Sequence, residues 1–288
     1  MQRARVIRIL SNHYTCITEK GDVFATRASG KLRKGVSPMV GDWVDVLHGS
    51  DLSVIERVYP RVNQMIRPSV ANVDAILIVM STLKPEFSSL LVDRITWLVR
   101  QAGIQPVLVV SKWDLLADPT EVNIMLATYR QVMPVFTVGK GVDNTALMQF
   151  MAHKICVLTG QSGVGKSSLI NRLDARYTIK TQEISKALGR GKHTTRHVEL
   201  LPIQQGWIAD TPGFSSLDFS HMTQPDLMEA VIEFEPYLNQ CRFRDCQHLN
   251  EPDCAVKQAV ADHKIPQERY THYLEVRSII DQNKESYL

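Results

Sequence analysis

Over residues 1–66 apolar and polar positions alternate in short runs, RVIRIL, HYTCIT, DVFATR, MVGDWVDVL and SVIERVYP, with turn signals between them. A period of two with no sustained helical period predicts strands covered on one face. Five such strands predict a small barrel, for which the OB-fold is the commonest five-stranded solution. Gly21-Asp22 and Gly41-Asp42 read as turn or strand-entry positions.

Near residue 67 the pattern changes. NVDAILIVMS (72–81), PVLVVSKWD (106–114), MPVFTV (133–138), KICVLTG (154–160), RHVELLPI (196–203) and GWIADT (206–211) read as strands, several of them continuously apolar, as expected where both sheet faces are covered. Between them LLVDRITWLVRQAG (90–103), EVNIMLATYRQ (121–131), ALMQFMA (146–152) and KSSLINRL (166–173) carry helical spacing. This alternation predicts a mainly parallel, doubly wound α/β sheet. From about residue 220 the chain reads as helical and polar, with modest apolar content.

Composition narrows the class. Apolar residues make up 44% and charged residues 22% of the 288, an ordinary globular mixture. No apolar run approaches the roughly 18 residues of a membrane-spanning helix, and MQRARVIRIL has no secretory core or cleavage site, so a cytosolic protein is expected. The net charge of +3 is unevenly spread: residues 1–67 hold 11 Lys/Arg against 6 Asp/Glu, with Arg3, Arg5, Arg8 and then Lys31, Arg33, Lys34 clustered. Such a surface suits either phosphates or solvent.

Gly160-Gln161-Ser162-Gly163-Val164-Gly165-Lys166-Ser167, followed by Ser168, matches the phosphate-binding pattern of GxxxxGK with Ser or Thr, between a buried strand and a helix. Glycines let the backbone N–H groups wrap around phosphates, and the helix N-terminus adds its dipole. Lys166 is expected on the outer phosphates and the Ser167 hydroxyl on Mg²⁺. Downstream, Asp210-Thr211-Pro212-Gly213 closes a strand. Its Asp210 suits the outer sphere of Mg²⁺, and the Gly213 N–H can approach the terminal phosphate. Between the two lies Gly189-Arg190-Gly191-Lys192-His193-Thr194-Thr195, where Thr195, with Thr194 as alternative, would complete the Mg²⁺ shell.

Ser111-Lys112-Trp113-Asp114, at the end of a strand, resembles the NKxD motif that reads guanine in GTPases, with Ser in place of Asn. The Asp114 carboxylate can accept paired hydrogen bonds from guanine N1 and N2; adenine has no such donor pair. Lys112 would lie along the base, and the strand MPVFTV ends near Thr137, where GTPases place a backbone contact to it. Ordinarily the phosphate loop comes first. Here SKWD precedes it, so the order is circularly permuted, and the DTPG segment leads straight into the C-terminal part.

There are five cysteines. Cys16 and Cys156 lie in strand-like apolar surroundings and read as inert core residues. Cys241-x4-Cys246-x-His248-x5-Cys254 offers three thiolates and one imidazole, the ligand set of a closed structural zinc site, without the CxxC of a redox pair.

Together SKWD before GQSGVGKSS, then GRGKHTT, DTPGF and CRFRDCQHLNEPDCAV resemble the RsgA/YjeQ family of circularly permuted GTPases, over essentially the whole chain. The resemblance implies an OB-fold domain over 1–66, a permuted GTPase domain over 67–219 and a helical zinc domain over 220–288. It further implies action on the small ribosomal subunit during late maturation, contact of both outer domains with rRNA, and GTP hydrolysis to GDP stimulated by the subunit. In that family hydrolysis is attributed to a histidine of the first switch, which carried over by motif is His193; contact with RNA or phosphate is its alternative role. Phe214 follows DTPG, where other GTPases place a glutamine. A monomer without membrane association is expected. A GTP-liganded RNA-binding module without turnover, and a kinase or ATPase on the same loop, are the competing readings.

Overall fold

The structure, a computed structural model, describes residues 1–30, 32, 35–49, 52–65, 69–177, 198–210 and 218–285. Alternation along the first segment produces β1 (Gln2–Leu10), β2 (His13–Thr18), β3 (Val23–Ala28), β4 (Trp43–Leu47) and β5 (Ser53–Val58). They run in the order β1-β2-β3-β5-β4 and close through β1–β4, with β3 and β5 parallel. Alternate side chains, Ala4, Val6, Cys16, Val44, Val46 and Ile55, fill the barrel. A short pair, β6 (Gln64–Met65) and β7 (Val70–Ala71), comes next. Arg61, just ahead of β6, grips the fully buried Asp42 with two 2.8 Å bonds, fastening the barrel to the segment that leads out of it.

The next elements are β8 (Ala75–Ser81), α1 (Ser89–Gln101), β9 (Gln105–Ser111), α2 (Thr120–Arg130), β10 (Val135–Thr137), α3 (Thr145–Met151), β11 (Ile155–Thr159), α4 (Lys166–Leu173), β12 (Glu199–Ile203) and β13 (Gly206–Asp210). The apolar runs are buried on both faces because their side chains alternate between two cores. Ile76, Ile78 and Met80 of β8 meet Val92, Ile95 and Val99 of α1 and Leu126 of α2. Ala75, Leu77 and Val79 meet Leu147 and Met151 of α3 and Leu169, Ile170 and Leu173 of α4. Ser88 caps α1, accepting from Leu91 N at 3.2 Å.

Strand order is β10-β9-β8-β11-β13-β12, with β8 through β11 and β13 parallel and β12 antiparallel. The chain winds outward from β8 to β10, then returns across β8 to β11. That reversal is the switch point where open α/β sheets bind ligands, at the carboxyl ends of the strands.

The last part comprises α5 (Gln224–Ala230), a 3-10 stretch over Ile232–Tyr237, α6 (Ala255–Ala261) and α7 (Gln267–Glu285). Its core is larger than the modest apolar content expected. Met222, Leu227, Val231, Phe234, Val256, Tyr273, Val276 and Ile280 pack around Trp97 of α1. Those ahead of α7 sit on short helices and 3-10 turns that spread them without a regular period, whereas Tyr273, Val276 and Ile280 recur at helical spacing along α7.

Two other features differ from expectation. The barrel and the α/β sheet are continuous, because β1 pairs antiparallel with β12 at Arg8↔Glu199 and those side chains form a 3.7 Å ion pair. And β9 stops at Ser111: Lys112 turns left-handed (φ 60°) into a 3-10 turn over Trp113–Leu115. No helix among the described residues is long and apolar enough to cross a membrane.

Candidate nucleotide site and metal centre

The phosphate loop leaves β11 at the switch point and enters α4. Gly160, Gly163 and Gly165 take φ of 135°, 83° and 99°. At Gly160 a Cβ would lie 2.2 Å from the carbonyl oxygen of Val79, so only glycine lets the loop pass this close to β8. Val164 is buried while Gln161, Ser162 and Gly163 are exposed. Lys166 Nζ donates to the carbonyls of Gly160 and Gln161, each at 2.7 Å, and burial lowers its pKa. Ser167 is buried in the first turn of α4, and Ser168 is partly exposed beside it.

SKWD reaches this loop from two strands away. Ser111, buried, shares its proton between the carbonyls of Met80 at the end of β8 and Val164 in the loop. Lys112 Nζ donates to the carbonyl of Lys84, in the connection from β8 to α1. That connection passes the loop, with Pro85 Cδ 3.8 Å from where a Gly163 Cβ would stand. Asp114 is exposed and lies against Gly139, just beyond Thr137 at the end of β10. Trp113 N donates to Val138 O at 3.2 Å, joining the two segments. Ser111, Lys112, Asp114, Thr137 and Gly160–Ser168 thus share one edge of the sheet. Asp210 ends β13, the parallel neighbour of β11. His193, Thr194, Thr195 and Gly213 lie outside the described residues, as do Lys31, Arg33 and Lys34.

The structure adds neighbours that no motif marks: Thr82, Lys84 and Gly139. Gly139 stands two residues beyond Thr137, and nothing in the sequence marks its closeness to Asp114.

In the C-terminal part Cys241, Cys246, His248 and Cys254 gather with their ligand atoms within 4.8 Å of one another. His248 Nδ1 lies 3.6, 3.6 and 3.4 Å from the three sulfurs, and the sulfurs of Cys241 and Cys254 are 3.9 Å apart. A tetrahedron with ordinary metal–sulfur and metal–nitrogen bonds has edges of about 3.8 Å and about 3.6 Å. The four donors therefore fit one tetrahedral ion with no position left open, and they form a group that could hold a metal. Burial pushes the Cys246 thiol up to about 12, so a cation is what would hold it as thiolate. Tyr270 donates to the carbonyl of His248 at 2.6 Å, and Cys254 accepts from Lys257 N at the start of α6.

Two surfaces combine cations with rings. On the barrel, Arg3 and Arg5 lie 4.6 and 4.4 Å from the Trp43 ring centre, and Arg57 lies 5.0 Å from that of Tyr59. Burial lowers the pKa of Arg5, which is half-buried, and Arg8 pairs with Glu199, so these arginines serve the barrel's structure as well as its surface. Beside the metal group, Arg242, Phe243 and Arg244 are all exposed.

A phosphate loop at the switch point, joined to a guanine-type motif that precedes it in the chain, defines a circularly permuted P-loop GTPase. The family model described as RsgA GTPase matches residues 58–220, and the RsgA N-terminal domain model matches 4–51. The chain belongs to the RsgA family of GTP hydrolases. It is 41% identical over 295 residues to the small ribosomal subunit biogenesis GTPase RsgA 2 of Listeria innocua, covering 100% of both chains. It is likewise 41% identical over 292 residues to the small ribosomal subunit biogenesis GTPase RsgA of Staphylococcus carnosus, again over 100% of both. Among solved structures it resembles YloQ, described as a circularly permuted GTPase, with TM-score 0.84, 34% identity and coverage of 98% and 96%. YjeQ from Thermotoga maritima gives TM-score 0.84, 30% identity and coverage of 97% and 98%.

Proposed function

We propose that this GTPase binds the small ribosomal subunit through rRNA, assists its late maturation in the cytoplasm as a monomer, and hydrolyses GTP to GDP and phosphate under the subunit's stimulation. The observation that carries the nucleotide half is the bond from Ser111 to Val164 O, which brings the SKWD strand end and the phosphate loop to one cleft. The ribosomal half draws on relatives named small ribosomal subunit biogenesis GTPases and on the two cation-and-ring surfaces. The functional units are residues 1–66, 67–219 and 220–288.

In this reading the N–H groups of residues 160–168 cradle the phosphates, and Lys166 leaves its carbonyl partners for the outer phosphates. Asp114 accepts from guanine N1 and N2, with Lys112 along the base and Ser111 and Thr137 at its edges. Mg²⁺, held by Ser167 and by Thr195 or Thr194, with Asp210 behind it, supplies charge neutralisation on the phosphates. Gly213 N–H reaches the terminal phosphate. His193 orients the attacking water once the subunit positions it, and turnover without the subunit is slow. The ion of the cysteine–histidine group is zinc, in a structural role, because three thiolates and one imidazole in a closed tetrahedron suit it.

Multiple-turnover phosphate release with and without purified small subunits tests the proposal. Stimulation of about a hundredfold or more is expected; a rate indifferent to the subunits refutes it. Lys166→Ala abolishes binding or turnover. His193→Ala keeps GTP binding and loses the stimulation, and unchanged stimulated turnover removes His193 from the mechanism.

A further inference from the structure

We infer that Thr82 and Gly139, which belong to no nucleotide motif, position the Asp114 carboxylate and thereby set the preference for guanine; this rests on the reading of Asp114 as the base-recognising group. The chain leaves β9 and turns at Lys112, whose φ of 60° and ψ of 29° are left-handed. A residue with a Cβ gives up about 1 kcal/mol to stand there, so its surroundings must hold it. Thr82, the first residue after β8, does so from outside the motif. Its N–H donates to Ser111 O at 3.2 Å, and its hydroxyl lies 3.3 Å from Ser111 O and 3.1 Å from Lys112 O. Those are the two carbonyls on either side of the Lys112 Cα, so one threonine latches the turn that aims Asp114.

Gly139 acts from the opposite side. It is buried, and a Cβ there would come within 2.3 Å of Asp114 Oδ1 and 2.8 Å of Asp114 N. The second contact is backbone, so the carboxylate could not simply swing aside: the whole turn would shift. Gly139 is not among the residues with positive φ, which makes space rather than conformation the reason for glycine. Thr82 and Gly139 are positioning residues that touch the nucleotide only through Asp114.

Guanine offers Asp114 two donors and hypoxanthine only one, because it lacks the 2-amino group. Displacing the carboxylate therefore weakens GDP more than inosine diphosphate, a signature that general damage to the phosphate loop does not produce. The experiment measures equilibrium binding of GDP, inosine diphosphate and ADP to the full chain and to Thr82→Val, Thr82→Ser and Gly139→Ala, alongside thermal unfolding without nucleotide. Thr82→Val is expected to weaken GDP about tenfold and inosine diphosphate about threefold or less, the scale of one lost hydrogen bond. Thr82→Ser, which keeps the hydroxyl, restores the ratio, and Gly139→Ala narrows it as Thr82→Val does. A preserved ratio of GDP to inosine diphosphate affinity in either folded variant overturns the inference. Wild-type chain that binds ADP as tightly as GDP would instead sink the reading of Asp114 itself.

Discussion

The hydroxyl of Ser111 donates to the carbonyl of Val164, a residue 53 positions further along the chain. The same hydroxyl lies 3.0 Å from the carbonyl of Met80. One side chain thus ties the ends of β8 and β9 to the phosphate loop after β11, and the permuted order of the motifs costs the cleft nothing, since the contact is made in space. Ser111→Ala leaves two buried carbonyls without that donor. The expected loss is about 1–2 kcal/mol of stability and a GDP affinity lowered about five- to tenfold. Urea unfolding and fluorescent-GDP titration check it; unchanged affinity would mean that the loop holds its shape without the tie.

The C-terminal part is fastened to α1 by buried charge. Asp93 is 1% exposed and meets Arg269, with His272 Nδ1 at 2.5 Å and Tyr129 Oη at 3.3 Å. Arg269, 5% exposed, also approaches Glu233 at 2.7 Å and lies 4.5 Å from the Tyr129 ring centre. Removing one member strands the others in a low dielectric. Asp93→Ala and Arg269→Met are each expected to cost about 3–5 kcal/mol, and the double variant well below their sum. Urea unfolding of the four proteins gives the coupling; additive losses would show that the charges act independently.

Much of this arrangement was legible because the strongest sequence signals are local. β8 and β9 show as continuous apolar runs since each buries both faces, and KSSLINRL coincides with α4 because the loop glycines mark its start. The spacing of Cys241, Cys246, His248 and Cys254 anticipated their gathering, since ligands on short loops must converge. The remainder is non-local. Pairing of Arg8 with Glu199 leaves no mark on either segment, and Thr82 looks like any strand-end threonine until Lys112 turns beside it. Phe234, whose ring lies 5.0 Å from that of Tyr273, sits on a 3-10 stretch too short to show a period.

Acid sensitivity is predicted at the far end of α4. Hydrogen bonds from Arg176 hold the Asp174 carboxyl at about 2, below its ordinary 3.8. A depressed value in the folded state means that the unfolded chain binds the proton more readily. The contribution is therefore complete above about pH 4 and disappears as pH falls through about 2. Because Arg176 is 66% exposed, solvent screening limits it to about 1 kcal/mol. Asp174→Asn should cost that amount at pH 7 and about half of it at pH 3, read from urea unfolding of both proteins at the two pH values. A gap that stays constant would place the effect in packing rather than charge.

Metal removal should act on the C-terminal part and spare the nucleotide edge. The four ligands lie in and beside the core that holds α5, α6 and α7 around Trp97, whereas the phosphate loop sits at the sheet edge between β8 and β11. Cys246 and Cys254 are themselves buried members of that core, so losing the ion leaves like-charged or newly protonated sulfurs crowded among apolar side chains. A strong chelator, or Cys246→Ser, is expected to release one ion per chain and destabilise the C-terminal part by several kcal/mol. GDP affinity should fall less than about threefold, because no ligand touches the cleft. Elemental analysis counts the ion, hydrogen exchange reads protection in residues 218–285, and fluorescent-GDP titration reads the cleft. Loss of GDP binding in step with loss of protection would show instead that α1, which carries both Trp97 and Asp93, transmits the state of the metal group to the nucleotide edge.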